Sequence, residues 1–191
     1  PVTETVVGLE ALIRWNHPEY GFISPGQFIP ILENTNQIEH LTNWIIEQAC
    51  QQMERWNKDG LIFHQVSINI PGSYVTSPNL TNHLNECLHR YKVPASQMEL
   101  EITETSVIND IQNAISAVSD FRMKGFNVAL DDFGTGLSSL SYLKEIPITT
   151  IKIDKSFVDG VQYSKKDSAI LGAILNLCYS LDLNVVIEGV E

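Results

Sequence analysis

Six short stretches alternate apolar and polar residues with a period of two, and they are rich in Val and Ile: VVGLEALIRW (6–15), QVSINI (65–70), MELEITE (98–104), FNVALDD (126–132), TTIKID (149–154) and NVVIEG (184–189). That pattern predicts β-strands, each bounded by turn or polar residues. Between them the period lengthens. Ile38, Leu41, Ile45, Ala49, Met53 and Trp56 recur at spacings of three and four, which predicts an amphipathic helix over 38–58. Ser24-Pro25 reads as a cap followed by a first-turn proline, and further helices are expected near 79–90, 110–124, 138–145 and 167–181, with Gly125 ending the 110–124 helix.

Alternating strands and helices predict an α/β fold with a parallel sheet. Each strand sets an apolar face, such as Val66, Ile68 and Ile70, against a face that turns small or polar toward its carboxyl end, such as Ser67 and Asn69. An open doubly wound sheet does not need this asymmetry. A closed barrel does, because its inner face converges on a site at the carboxyl-terminal mouth. The pattern therefore favours a TIM-like barrel, incomplete at six strands and 191 residues against the usual eight strands and roughly 250 residues.

The residues that such a mouth would gather are Glu10, Asn69, Glu101, Asp131, Asp132, Lys152, Asp154 and Glu188. Any one acid alone is as well explained as a surface charge at a strand end. Several converging on a small mouth would repel unless protonated or shared with cations. Oxygen donors of this kind suit Mg²⁺ or Mn²⁺, and no Cys or His spacing suggests zinc. Adjacent Asp131 and Asp132 suit two ions about 3.5–4 Å apart, the arrangement used in phosphoryl transfer. Lys152 then positions water or neutralises charge on phosphate; the structural alternative is a salt bridge to Asp154 or another strand-end acid. The five histidines read as surface or packing residues, and the tryptophans at 15, 44 and 56 as core or helix-face residues rather than a base-stacking platform.

Composition narrows the setting. With 23 acidic against 12 basic residues, net charge −11, a basic groove for polymeric nucleic acid is excluded. No apolar run approaches the roughly 20 residues of a membrane span. Cys50, Cys87 and Cys178 are odd in number and far apart, as expected for free thiols in the cytoplasm. The chain opens at Pro1, which implies a piece of a longer protein whose membrane anchor, if it has one, lies elsewhere.

GLEALIRW (8–15), SINI (67–70), ELEITET (99–105), DDFGTG (131–136), KIDKSF (152–157) and EGVE (188–191) resemble, in order, the motifs of the EAL domain of bacterial signalling proteins. The resemblance implies a single EAL domain over residues 1–191 that hydrolyses the second messenger cyclic di-GMP to linear 5′-pGpG on a TIM-like (β/α)8 barrel whose first strand is antiparallel. It implies that Glu10, Asn69, Glu101 and Asp131 hold one Mg²⁺ or Mn²⁺, that Asp131 bridges to a second ion also bound by Asp132, and that Glu188 orients water. Lys152, Glu188 and Glu10 become the catalytic set. Arg14 matches an arginine that contacts a substrate phosphate, with Leu12 and Asp154 beside the ligand. Glu104 matches the anchor of the loop DDFGTGLSS, where Gly134 and Gly136 permit the sharp turn and Ser138 or Ser139 caps the next helix.

The resemblance further implies a homodimer through the region after Asp132, and sensor or diguanylate cyclase domains on the same chain. The family's first strand with its Gln-Pro motif and its last strand with a glutamine are expected outside residues 1–191, so the domain is expected to be truncated at both ends. The alternative function is a cyclic di-GMP receptor or dimerising scaffold without turnover. A third, independent of the family, is an enolate-stabilising barrel in which Lys152 abstracts a proton.

Overall fold

A computed structural model describes residues 6–134, 141–158, 161 and 163–189. The chain divides into two compact units, Pro1–Glu99 and Leu100–Glu191.

In the first unit, strand β1 (Gly8–Glu10) is succeeded by the hairpin β2 (Trp15–His17) and β3 (Gly21–Ile23), helices α1 (Pro25–Asn34) and α2 (Ile38–Lys58), strand β4 (Gln65–Asn69), and helices α3 (Gly72–Val75) and α4 (Pro78–Tyr91). Strand β1 pairs in parallel with β4, Glu10 opposite Ser67. The strand expected over 6–15 is therefore shorter than its pattern. Ala11 N–H still donates to Ser67 O at 2.9 Å, but the chain then leaves the sheet, and Trp15–His17 pairs antiparallel with Gly21–Ile23 instead. Pro18 and Gly21, the latter at φ 69°, are the turn residues that allow this reversal.

Helix α1 opens after Ser24, as the Ser-Pro pair predicts, with Gln27 Oε1 accepting the Ser24 N–H at 3.3 Å. Helix α2 has the predicted bounds, but its buried face is turned. Ile38, Thr42, Ile46, Ala49, Cys50 and Met53 are buried, and α2 packs on α4, whose Leu80, Leu84, Cys87 and Leu88 are buried. Thr42 tolerates the core because its hydroxyl donates to Ile38 O at 2.8 Å. Leu41, Ile45 and Trp56 lie beside this face rather than at its centre.

Strand β5 (Met98–Thr103) begins in the first unit and ends in the second. Thereafter come α5 (Glu104–Asn109), α6 (Ile111–Met123), β6 (Asn127–Phe133), β7 (Thr150–Ile153), α7 (Lys165–Ser180) and β8 (Asn184–Ile187). Strands β6, β7 and β8 are parallel neighbours in that order, so their carboxyl ends point the same way. Gly125, at φ 90°, terminates α6 as expected. Of the helix expected at 138–145, residues 138–140 lie outside the described residues, and Tyr142–Lys144 form a 3₁₀ turn. All four residues of β7 are buried, so the polar face of the pattern is interior too, and its polar groups need partners there.

Candidate active site

Strand alternation would send Asp131 and Asp132 to opposite faces. The backbone prevents it. The register of β6 against β7 shifts between Leu130 and Phe133, Asp132 sits at φ 55°, and its N–H donates to Asp131 Oδ1 at 3.0 Å. This is a bulge with an aspartate in the left-handed region, a conformation Asp tolerates better than most residues. The bulge re-aims both side chains, so that Asp131, Asp132 and Glu188, which lies just past β8, bring carboxylate oxygens within 4.8 Å of one another. Burial and then the charges of Asp131, Asp154 and Glu188 push the Asp132 carboxyl pKa up, with Lys152 opposing. Such a cluster is relieved by protons or by a cation.

Lys152 projects from the middle of β7 into this acidic group. Its Nζ lies 2.8 Å from Glu188 Oε1, 2.9 Å from Glu101 Oε2 and 3.5 Å from Asp131 Oδ1. Lys152 and Glu101 are 5% and 2% exposed, which makes this an interior ion-pair network rather than a surface contact. Burial by itself lowers the lysine pKa, but the bonds to Glu188 and Glu101 outweigh it and hold the ammonium protonated. The strand-end salt bridge weighed for Lys152 is thus real, though its partners are Glu101, Glu188 and Asp131. Asp154 instead caps the 3₁₀ turn Lys155–Phe157, accepting the Ser156 N–H at 2.9 Å; hydrogen bonding from Ser156 lowers its pKa.

In the first unit, Glu10 and Asn69 stand at the carboxyl ends of β1 and β4, and Asn69 Nδ2 donates to Glu10 Oε1 at 2.8 Å. Two residues before Asn69, Ser67 Oγ donates to Glu99 Oε2 at 2.8 Å, both buried. The strand pattern alone does not single out this second pair, although a period of two places Ser67 and Glu99 on the same strand faces as Asn69 and Glu101. Leu12 and Arg14 lie beyond β1, and with Glu10 and Trp44 they border a cavity of about 370 Å³. Arg14 Nη1 donates to Ile13 O at 2.8 Å. Trp15 and Trp44 are exposed rather than core, and they border an apolar cavity of about 490 Å³ with Phe28 and Leu41.

Glu104 opens α5, fully buried. Its Oε2 accepts the Gly134 N–H at 2.9 Å and its Oε1 accepts the Tyr142 hydroxyl at 2.7 Å. Gly134 needs to be glycine: φ is 93°, and a Cβ there would fall 2.5 Å from Phe157 Cζ. Gly136, Ser138 and Ser139 lie outside the described residues. The three cysteines are free and buried, but two are not apart. Cys50 on α2 and Cys87 on α4 interact, the Cys87 thiol raising the Cys50 pKa and the Cys50 thiol lowering that of Cys87, and Cys87 Sγ is 3.4 Å from His83 Nε2.

Parallel strands flanked by helices, with a buried lysine held among strand-end carboxylates, define a TIM-like α/β protein with an oxygen-donor site. The sequence matches the EAL domain family over residues 1–191, and the chain belongs to that family. It is 36% identical over 186 residues to the bifunctional diguanylate cyclase/cyclic di-GMP phosphodiesterase MucR of Pseudomonas aeruginosa, covering 97% of this chain and 27% of that protein. To the oxygen sensor protein DosP of Escherichia coli it is 37% identical over 189 residues, covering 99% of this chain and 24% of that one. The chain thus spans about a quarter of the length of these curated relatives. The solved structure of the P. aeruginosa MucR phosphodiesterase in complex with c-di-GMP matches with a TM-score of 0.90 at 35% identity, covering 97% of this chain and 75% of that chain. The EAL enzyme Bd1971, in its cAMP- and cyclic-di-GMP-bound form, matches with a TM-score of 0.89 at 36% identity, covering 98% and 52%.

Proposed function

We propose that this chain is the hydrolytic part of a metal-dependent phosphodiesterase that cleaves cyclic di-GMP to linear 5′-pGpG. The observation that carries the reading is the bulged Asp131–Asp132 pair, gathered with Glu188 around the ammonium of Lys152. The donor set fits hard divalent cations: carboxylate oxygens, one of them on a carboxyl that burial and like charges make reluctant to ionise alone. Asp131, Asp132 and Glu188, joined by Glu101 and, by family position, by Glu10 and Asn69, would hold Mg²⁺ or Mn²⁺, two ions in all. Bound there, the ions supply Lewis acidity toward phosphate and a more acidic water.

The chain's own groups do the rest. Because the product keeps its phosphate at the 5′ end, water attacks phosphorus and the P–O3′ bond breaks, leaving a 3′-hydroxyl. Lys152, kept protonated by its carboxylates, orients the attacking oxygen or the phosphate by donating hydrogen bonds; it is a poor proton abstractor, which counts against the enolate reading. Glu188 and Glu10 complete the catalytic set as orienting carboxylates. Arg14 would contact a substrate phosphate, Leu12 and Asp154 would border the ligand, and Glu104 with Gly134 and Gly136 would set the loop. In the full-length protein we place this site in the cytoplasm, with sensor or cyclase domains on the same chain and a homodimer formed through the region after Asp132.

The test is incubation of the full-length protein with cyclic di-GMP and Mg²⁺ or Mn²⁺, with products separated by chromatography. Linear 5′-pGpG that disappears on chelation is expected. Tight binding without turnover would establish the receptor alternative and overturn the proposal.

A further inference from the structure

The sequence motifs assign an anchor, Glu104, but not the group that holds the anchor in place. Glu104 grips two points. Through Oε2 it takes the N–H of Gly134, two residues beyond Asp132, and through Oε1 it takes the hydroxyl of Tyr142. Gly134 and Tyr142 stand on either side of residues 135–141, so one carboxylate is bonded at both ends of that segment. The Tyr142 bond, at 2.7 Å, is the shorter of the two, as expected when a hydroxyl donates to a carboxylate.

Tyr142 is itself well fixed. It lies in the 3₁₀ turn after the segment and is 3% exposed. Burial, then the bond to Glu104, raises its pKa, so the phenol remains a donor wherever the protein is folded. A glutamate has three side-chain torsions and can present either oxygen in several directions. A second fixed donor on Oε1 removes that freedom and leaves Oε2 aimed at Gly134. Gly134 is confined on its other side by the ring of Phe157, a residue five positions beyond Lys152 on the segment leaving β7.

We propose that Tyr142 is a positioning residue: its hydroxyl orients the Glu104 carboxylate, which holds Gly134 and so fixes the backbone turn that sets Asp131 and Asp132. Its importance for turnover rests on the phosphodiesterase reading; its effect on Gly134 does not. A purely packing role would be carried by the ring alone, and phenylalanine would supply it. The hydroxyl is what distinguishes the two.

The experiment compares Tyr142→Phe, Glu104→Gln and the double variant in the full-length protein, with amide hydrogen exchange at Gly134 and steady-state hydrolysis of cyclic di-GMP as readouts. Exchange at Gly134 is expected to rise roughly tenfold in Tyr142→Phe, and kcat to fall by roughly the same factor with KM changed far less. Because both residues act through one carboxylate, the double variant should behave as Glu104→Gln alone. Unchanged Gly134 protection in Tyr142→Phe, or effects that multiply independently in the double variant, would overturn the inference. If the wild-type protein does not hydrolyse cyclic di-GMP, the function reading fails while the exchange result still decides the role of Tyr142.

Discussion

At the scale of single residues, Lys152 is the hinge of the electrostatics. The residue is 5% exposed, its ammonium meets Glu101, Glu188 and Asp131, and removing it takes a counter-charge from the buried Glu101. Lys152→Met should therefore lose turnover and, measured in chelator, destabilise the fold by about 3–5 kcal/mol; denaturant unfolding checks the second part. The thiol pair gives a pH test. Interaction with the Cys50 thiol lowers the Cys87 pKa to about 7, despite burial, while Cys50 is raised far above the usual thiol range. The ¹³Cβ resonance of Cys87 should titrate with a midpoint of about 7, thiolate above it and thiol below, whereas Cys50 should stay a thiol throughout the same titration. A Cys87 midpoint near the ordinary thiol value of about 8.5 would refute the pairing. The acids and the lysine are legible in the sequence as strand-end residues. The partners of Lys152 are not, because which carboxylates meet depends on the placement of β5, β7 and the turn after β8.

At the scale of elements, the bulge in β6 matters most. A period of two locates most of the strands, but it cannot show that adjacent aspartates share a side, since that takes a left-handed residue at Asp132. It also runs β1 too far, because ALIRW continues the apolar pattern after the sheet pairing has ended near Ala11, and Trp15 joins a separate hairpin whose turn holds Pro18 and Gly21. The Ser67–Glu99 pair is within reach of the same alternation. Glu104 is found by family position, and Tyr142 carries no signal, being one more aromatic in a helix-like run. Gly134→Ala puts a Cβ 2.5 Å from Phe157 Cζ at φ 93°, so it should destabilise by about 1–3 kcal/mol and reduce turnover. Thermal unfolding alongside rate measurement checks both.

At the scale of the molecule, the family is carried by motifs running the whole length of the chain, and among the described residues no helix is long and apolar enough to cross a membrane. A net charge of −11 is awkward for a dianionic ligand unless cations intervene. Metal should therefore act on stability as well as on rate. At a hundredfold excess over its dissociation constant Mg²⁺ or Mn²⁺ should add about 2.7 kcal/mol, and chelator should lower the melting temperature accordingly. Glu10→Ala should abolish turnover and shrink that metal-dependent rise while the secondary structure by circular dichroism stays unchanged. Hydrolysis at phosphorus with loss of the 3′ oxygen leaves an isotopic signature that tests the central claim most directly. Cyclic di-GMP turned over in H₂¹⁸O should give 5′-pGpG with a single ¹⁸O in its 5′-phosphate by mass spectrometry; no linear product, or a product phosphorylated at the 3′ end, would contradict it.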